Sequence, residues 1–242
     1  MTAALVAATR TLAEAGVDTP RLDAQLLLRD PEQADARLAR RVAREPVAYI
    51  LGTKGFRWIE LSVDRRVLIP RPDTETLVEV ALDVAGDGAR VHDVGTGSGA
   101  VALGLKHERP GLVVTGSDAS ADAVDVAREN AARLGLDVSF SVARGLPEGG
   151  FDLVVANLPY VREDEWDALE PEIRLYEPRE ALVSGADGLD DIRSLVAAAP
   201  PGTLLALEHA PDQGEAVRRL LADARSVNDL GGRERVTVGR AT

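Results

Sequence analysis

The chain has 242 residues, which is long enough for one large domain with a smaller one attached, and we expect that organisation. Its 40 acidic and 28 basic residues give a formal net charge of −12. This excess of negative charge argues against extended binding to nucleic-acid phosphates, although a local basic patch is compatible with it. The chain has no cysteine, which excludes disulfides and thiolate chemistry, and its three histidines are not spaced as metal ligands. We expect no metal site.

The first residues, MTAALVAATRTLAEAGV, contain no basic region followed by a long apolar core of the kind that signal peptides have. Elsewhere no run approaches the roughly 18 apolar residues of a membrane span. We therefore expect a cytoplasmic protein that does not contact a membrane.

Residues 1–45 are predicted to form a small helical domain. Leu5 and Leu12 lie two helical turns apart, and Leu22, Leu26 and Leu27 share one face of a second helix. Four arginines then fall on one face of a third helix: Arg37, Arg40, Arg41 and Arg44. Such a stripe can meet an acidic partner or nucleic acid, but a solvated face is its more frequent role.

Residues 46–70 are predicted to form a β-hairpin connector, in which Ile59, Leu61 and Val63 alternate and Asp64–Arg65 form the turn. Pro70 and Pro72 end the strand, and a helix is predicted over residues 74–84. The large domain, residues 71–242, begins there.

The large domain alternates strands and helices, which indicates an α/β fold with a mostly parallel sheet covered on both faces. Strands are predicted near residues 90–94, 112–117, 137–142, 151–155, 203–208 and 234–239, and helices near 100–107, 120–134, 186–199 and 211–222. The last strand follows Gly231 and Gly232 and is expected to return antiparallel at the sheet edge.

A glycine-rich loop follows the first strand of this domain, with Gly95, Gly97 and Gly99 ahead of a helix. Glycine permits positive φ and a close approach of backbone to ligand, and the helix start offers free N–H groups. Asp118 ends the next strand, where an acid that binds a ribose belongs. The pattern fits either NAD or S-adenosylmethionine, and the absence of a recognisable catalytic histidine or lysine beside the loop favours the methyl donor.

The stretch FDLVVANLPY, residues 151–160, is predicted to be a buried strand that ends at Asn157. Pro159 keeps Leu158 extended, so the Asn157 side chain and nearby carbonyls are free to accept hydrogen bonds. Tyr160 adds a flat surface for a planar group. Together these residues suit an NH₂ group on a planar system, whereas the alternative is a plain strand-to-loop turn.

Two buried polar residues precede the loop. His92 is expected to be a hydrogen-bonded core histidine rather than a ligand. Asp93 is expected either to orient the loop amides or to contact the amino-acid part of the ligand.

Several motifs together resemble the release-factor glutamine methyltransferases of the HemK type. They are RLDAQLLL near residue 21, EPVAYILG at 45–52, IPRPDTE at 69–75, DVGTGSGAVAL at 93–103, NLPY at 157–160, YEPREAL at 176–182 and GGRERV at 231–236. The resemblance implies a Rossmann-like methyltransferase sheet behind a helical N-terminal domain. It also implies methyl transfer from S-adenosylmethionine to the glutamine of the GGQ loop in a peptide chain release factor.

The resemblance assigns roles to individual residues. Those that would hold the donor are Gly95, Thr96, Gly97, Ser98, Gly99, Asp118 and Asn157. Asn157, Leu158, Pro159 and Tyr160 would hold the glutamine for reaction, and Arg71, Thr74 and Glu75 are expected to form a wall of the substrate site. Thr74 and Glu75 have a second interpretation as helix-capping residues. The helical segment is expected to recognise the release factor.

Three other functions remain open at this point. NLPY is also similar to the motif of adenine-N6 methyltransferases that act on RNA, since the glutamine-modifying family usually has proline where Leu158 stands. A non-catalytic ligand-binding protein or an NAD-dependent oxidoreductase could carry the same glycine loop. The net negative charge favours a protein acceptor over RNA.

Overall fold

A computed structural model describes residues 3–242, so residues 1 and 2 of the predicted helical segment lie outside the described residues. The chain begins with four helices: α1 (Ala3–Glu14), α2 (Pro20–Leu27), α3 (Ala34–Val42) and α4 (Val47–Leu51). They enclose a small apolar core in which Leu12, Leu27 and Ile50 are buried. Leu5, Leu12 and Leu27 of the predicted leucine pattern contribute to this core, whereas Leu22 is 54% exposed.

A two-stranded antiparallel hairpin follows, formed by β1 (Thr53–Phe56) and β2 (Ile59–Ser62). The turn between these two strands is at Arg57 and Trp58, which the sequence did not predict. The predicted turn at Asp64–Arg65 is present but follows β2, where Val67 donates its backbone N–H to the Asp64 carbonyl (3.1 Å). Arg57 adopts a φ of +47°, which a sequence search for glycine or asparagine turns does not find. Residues 47–51, included in the predicted hairpin, are helical, and they bury Tyr49 in the core of the large sheet and Ile50 in the core of the helical segment.

Seven strands form the main sheet: β3 (Arg90–Val94), β4 (Val113–Asp118), β5 (Ser139–Val142), β6 (Leu153–Ala156), β7 (Leu204–Glu208), β8 (Ala222–Asn228) and β9 (Glu234–Arg240). Their order is β5-β4-β3-β6-β7-β9-β8. The first five pair in parallel, and β9 runs antiparallel to β7 and β8. The predicted Rossmann-like methyltransferase sheet with an antiparallel last strand is confirmed.

Strand β8 was missed from the sequence, and it displaces β9 from the edge position that we expected. None of the residues of β8 is buried, so the strand lacks the apolar pattern by which strands are found. It pairs with β9 on one side only. An edge strand of this kind is specified by its pairing partner rather than by its own hydrophobicity.

Helices cover both faces of the sheet: α5 (Glu75–Val84), α6 (Ala100–Glu108), α7 (Ala121–Leu134), α8 (Pro171–Tyr176), α9 (Asp190–Ala198) and α10 (Gly214–Arg218). The sequence of β6 is apolar throughout because both faces of this strand are buried. Leu153 and Val155 pack into the core of α5, α6 and α7, whereas Val154 and Ala156 pack into that of α9. A central strand with two buried faces has no polar side to alternate.

Two arginines of the predicted stripe, Arg41 of α3 and Arg44 just beyond the end of α3, are neither solvated nor free for nucleic acid. Arg41 is buried, and it donates from Nε to Asp23 Oδ2 (2.7 Å) and from Nη1 to Glu172 Oε1 (2.8 Å). Arg44 donates from Nη2 to Glu172 Oε2 (2.6 Å). The acidic partner of these arginines is therefore Glu172 of α8 in the same chain, and these bonds connect α8 to the helical segment.

Helix α8 has further contacts with the first part of the chain. Tyr176 donates from its hydroxyl to the Ala43 carbonyl (2.6 Å). The Arg65 guanidinium lies 4.6 Å from the centroid of the Tyr176 ring. The helical segment and the large sheet are thus joined by polar and cation–π contacts on one short helix. No helix within residues 3–242 is long and apolar enough to cross a membrane.

We predict that Glu172→Gln lowers the free energy of unfolding by about 1–3 kcal/mol, since it removes charged hydrogen bonds to Arg41 and Arg44 that are largely shielded from water. Burial raises the pKa of Glu172, but the bonds from Arg44 and Arg41 outweigh it and leave the pKa below its ordinary value. The ion pair therefore stabilises the protein at pH values above the ordinary pKa of a glutamate, and its contribution is lost as the pH falls through the lower pKa of the folded state.

Urea unfolding at pH 7 and in acid tests this. The matched control is Glu170→Gln, whose side chain is 62% exposed and 3.7 Å from Arg44, and which should change stability by less than about 0.5 kcal/mol. Equal stability of both variants at pH 7, or a Glu172→Gln deficit that persists unchanged in acid, would contradict the assignment.

Candidate active site

The glycine loop connects β3 to α6 in a conformation that needs glycine. Gly95, Gly97 and Gly99 have φ values of +72°, +54° and +83°. A Cβ added at Gly95 would lie 2.9 Å from Leu158 Cδ2, so the NLPY loop packs directly on the glycine loop. A Cβ at Gly97 would meet nothing within 4 Å, which leaves this part of the loop open to a ligand.

Asp118, at the end of β4, holds the loop from the side. Gly97 donates its backbone N–H to Asp118 Oδ2 (3.0 Å), and Ser120 donates its backbone N–H to Oδ1 (2.9 Å). The amides of Gly95 and Thr96 both donate to the Ser117 carbonyl. The structure thus brings Asp118 and the glycine loop together, as the sequence predicted. Each Asp118 oxygen has lone-pair capacity left for a further donor such as a ribose hydroxyl.

Asp93 organises the same loop from below. Its Oδ2 accepts from Thr96 Oγ1 (2.7 Å) and from the backbone N–H of Ala102 (3.2 Å). Burial raises the pKa of Asp93 to about 7 against the opposing effect of these two bonds, and the nearby Asp118 raises it further. Of the two expected roles, the structure shows the orientation of the loop.

His92 is a core histidine, as predicted. Its Nδ1 bonds with Thr115 Oγ1 (2.7 Å) and its Nε2 with Ser117 Oγ (2.9 Å). The ring stacks on Phe151 at a centroid distance of 4.6 Å. Burial lowers the pKa of His92 to about 4, which keeps the ring neutral. Within residues 3–242 no three histidine, cysteine or acidic side chains are grouped to hold a metal ion.

Asn157 follows β6 directly and is held by Thr74. Its Nδ2 donates to Thr74 Oγ1 (2.9 Å), and Thr74 is buried in the turn Pro72–Thr74 that precedes α5. Since the two polar atoms of an amide point in different directions, this bond directs Oδ1 away from Thr74 as an acceptor. The motifs IPRPDTE and NLPY therefore meet through one hydrogen bond across 83 positions of the chain.

A small cleft of about 30 Å³ opens beside Asn157. Its lining residues are Leu68, Arg71, Asn157, Leu158, Tyr160, Val161, Ala181 and Leu182. Four of these were predicted site residues. Sequence reasoning missed the other four, all of them apolar, although Ala181 and Leu182 lie in the YEPREAL motif.

Arg71 and Glu75, both expected in the wall of the substrate site, line two different clefts. Arg71 lines the cleft, and its Nη2 donates to Oε1 of the buried Glu177, whose Oε2 accepts from the Ile69 amide (3.1 Å). Glu75 instead lines a second cleft of about 100 Å³ and accepts from the Arg57 amide (3.2 Å). The structure therefore brings Arg71 and Thr74 to Asn157, and Glu75 is not among the residues that line the first cleft.

Tyr160 lies between the cleft and the end of β7. Its hydroxyl donates to Glu208 Oε1 (3.3 Å), and its carbonyl accepts from Gln213 Nε2 (2.9 Å). Burial raises the pKa of Glu208 to about 7, and Thr74, Arg235 and Tyr160 oppose that rise. Sequence reasoning missed Glu208, although an acidic residue at the end of a buried strand beside β6 was a usable signal.

The chain is similar to known proteins over most of its length. The Methyltransferase small domain family matches residues 72–182. The release factor glutamine methyltransferase of Caulobacter vibrioides is 39% identical over 273 residues, which cover 98% of this chain and 94% of that one. The enzyme of the same name from Pseudomonas aeruginosa is 47% identical over 224 residues, covering 86% and 80%.

Solved structures agree in fold. The E. cuniculi Mtq2–Trm112 complex responsible for methylation of the translation termination factor eRF1 matches with a TM-score of 0.52 and 21% identity, covering 73% of this chain and 99% of that one. The T. thermophilus 16S rRNA methyltransferase RsmC matches with a TM-score of 0.55 and 16% identity, covering 78% and 50%. Because full-length relatives share about two fifths of its residues, the chain belongs to the family of release factor glutamine methyltransferases.

Proposed function

We propose that this protein transfers a methyl group from S-adenosylmethionine to the side-chain amide nitrogen of the glutamine in the GGQ loop of a peptide chain release factor. The observation that carries the proposal is the orientation of Asn157, whose Nδ2 is bound to Thr74 so that Oδ1 is the acceptor presented to the cleft. The Leu158 carbonyl is the second acceptor, since no N–H of the described residues donates to it.

Two acceptors suit the chemistry of a carboxamide. Its nitrogen is a poor nucleophile because the lone pair is delocalised into the carbonyl. Acceptance of both N–H bonds, by Asn157 Oδ1 and the Leu158 carbonyl, fixes the nitrogen in line with the methyl group and favours the positive charge that grows on it. When bound, S-adenosylmethionine supplies a methyl group on a sulfonium leaving group. The methylated amide is a strong acid that loses its proton to water, so no strong base is required.

The donor fits the glycine loop. The open face of Gly97 admits a ligand against the backbone, and Asp118 beside it can accept ribose hydroxyls. Leu158 departs from the proline that is usual in the family, but its side chain packs on Gly95 and is 9% exposed. The leucine thereby keeps the acceptor loop seated on the donor loop, although it does not preset φ as proline does.

The helical segment, described from Ala3, is proposed to recognise the release factor, with residues 46–70 as the connector and 71–242 as the catalytic unit. In support, the segment has its own apolar core and is tied to α8, which leads to the Arg71 side of the cleft through Glu177. A release factor belongs to the translation machinery, so the proposal places the reaction in the cytoplasm.

The proposal is tested by incubating the enzyme with donor and either a purified release factor or RNA. Mass spectrometry should find one added methyl group on the GGQ glutamine. Replacement of a single N–H hydrogen by CH₃ raises the mass of the peptide by about 14 Da. Incorporation into RNA adenine instead would support the RNA-modifying alternative. Binding of donor without turnover on either acceptor would indicate a non-catalytic protein.

Asn157→Ala and Asp118→Ala should separate catalysis from donor binding. We expect Asn157→Ala to lower kcat by about 10²–10³ and to leave donor affinity within a few-fold, because its contact is made with the acceptor in the transition state. Asp118→Ala should weaken donor binding by about 1.5–3 kcal/mol, the range for hydrogen bonds to a charged group. Calorimetry and steady-state kinetics measure both, and a normal kcat for Asn157→Ala would remove it from the chemistry.

Leu22→Ser tests the role of the helical segment. Leu22 is 54% exposed on α2, and its loss should lower kcat/KM for a whole release factor about tenfold, with little effect on a short peptide that contains GGQ, if this face contacts the factor. The matched control is Val113→Ser. Val113 is also 54% exposed, but it is the first residue of β4, at the opposite end of the strand from the site. Equal loss with both acceptors would refute a recognition role for this face.

A further inference from the structure

A carboxylate without an ion pair of its own lies behind the acceptor loop. Glu208 is 0% exposed, and its Oε1 accepts from the Tyr160 hydroxyl (3.3 Å). Its Oε2 has no hydrogen-bond partner among the described residues. A buried charge costs several kcal/mol unless it is well satisfied, so a purely structural role is a poor reason for this residue.

The nearest cation is committed elsewhere. Arg235 on β9 is buried, and its Nη2 bonds to Asp73 Oδ2 (2.9 Å) and to Asp229 Oδ2 (3.2 Å). It opposes the raised pKa of Glu208 only through space. The titratable and charged groups that face Glu208 are thus Tyr160 after β6, Asp73 on the turn before α5, and Arg235 on β9.

Thr74 completes the surroundings. Its Oγ1 already accepts from Asn157 Nδ2, so the proton of its own hydroxyl must point to a different acceptor. Thr74 is buried, and its hydroxyl lowers the pKa of the Glu208 carboxyl, although no hydrogen bond joins the two groups in the present geometry. A small rotation of the hydroxyl toward the unpartnered Oε2 satisfies both groups.

We propose that Glu208 is a positioning residue for methyl transfer, whose ionised carboxylate accepts from Thr74 and Tyr160 and so fixes Asn157 with Oδ1 toward the acceptor nitrogen. The inference rests on the proposed function and names a residue that this function did not require. An ionised carboxylate can only accept hydrogen bonds, and it therefore sets the direction of the whole chain from Asn157 through Thr74.

Protonation of Glu208 removes that direction. A neutral carboxyl can donate to Thr74, which is then free to donate to Asn157 Oδ1. The amide would turn and present Nδ2, a donor, to the N–H bonds of the substrate, where an acceptor is needed. Activity should therefore be present above the pKa of Glu208, which is about 7, and fall as the pH drops below it.

Glu208→Gln keeps the shape and removes the charge. We expect kcat to fall by about 10- to 100-fold, up to the loss caused by a misplaced reacting group, with donor affinity and KM for the acceptor within about threefold of wild type. Below pH 7 the kcat of the wild type should fall up to tenfold per pH unit, whereas that of the variant should not show this step. The matched control is Glu234→Gln, a partly exposed glutamate on β9 paired with Arg218, which should keep the wild-type profile.

A second readout does not depend on turnover. The side-chain amide resonances of Asn157 in a ¹⁵N-labelled protein should shift with pH near 7 in the wild type and lose that transition in Glu208→Gln. If Glu208→Gln does not fold, Thr74→Val breaks the same chain and should abolish the same transition in both kcat and the amide signal. A wild-type kcat and pH profile in Glu208→Gln, or an Asn157 signal that does not titrate in the wild type, would overturn the proposal. Lack of release-factor methylation by the wild type would refute the proposed function instead and leave the amide titration as an independent test.

Discussion

Parallel pairing of the central strands is the constraint on which the site depends. Strands β3, β4, β6 and β7 all run in the same direction, and their pairing aligns Val94 with Ala156 and Ala156 with Leu207. The residues that follow each strand therefore emerge along one edge of the sheet. This edge carries the glycine loop, Asp118, Asn157 and the terminal Glu208, so a donor and an acceptor that bind there are necessarily adjacent.

The acceptor side is not held by the sheet alone. Thr74 comes from the turn before α5, and Arg71 is bound to Glu177, one residue beyond α8. Helix α8 is in turn bound through Glu172 to Arg41 of α3 and to Arg44, two residues beyond α3. Charged hydrogen bonds at Glu172 and at Glu177 thus connect α8 to the helical segment on one side and to the wall of the cleft on the other. Because these groups are largely shielded from water, the attraction between them is screened less than that of surface ion pairs.

The parts of the molecule that sequence predicted are those specified locally. Three alternate glycines need positive φ, and the apolar run of β6 needs two covered faces, so both follow from neighbouring residues. The turn at Arg57 and strand β8 were missed because neither carries a local signal. The pairings of Asn157 with Thr74 and of Arg44 with Glu172 join residues 83 and 128 positions apart, and no periodicity encodes such distances.

The acceptor contacts are chemically general, because an amide oxygen and a carbonyl bind any NH₂ group on a planar system. Selectivity for a glutamine in a protein must therefore come from surfaces around the cleft. The arginine stripe was the sequence feature that most favoured RNA, but Arg41 and Arg44 are consumed within the chain, and Arg40 is bound to Glu45. With these charges neutralised internally and a net charge of −12, the protein keeps little to attract a phosphate backbone. The electrostatics and the family membership thus favour the same class of acceptor for independent reasons.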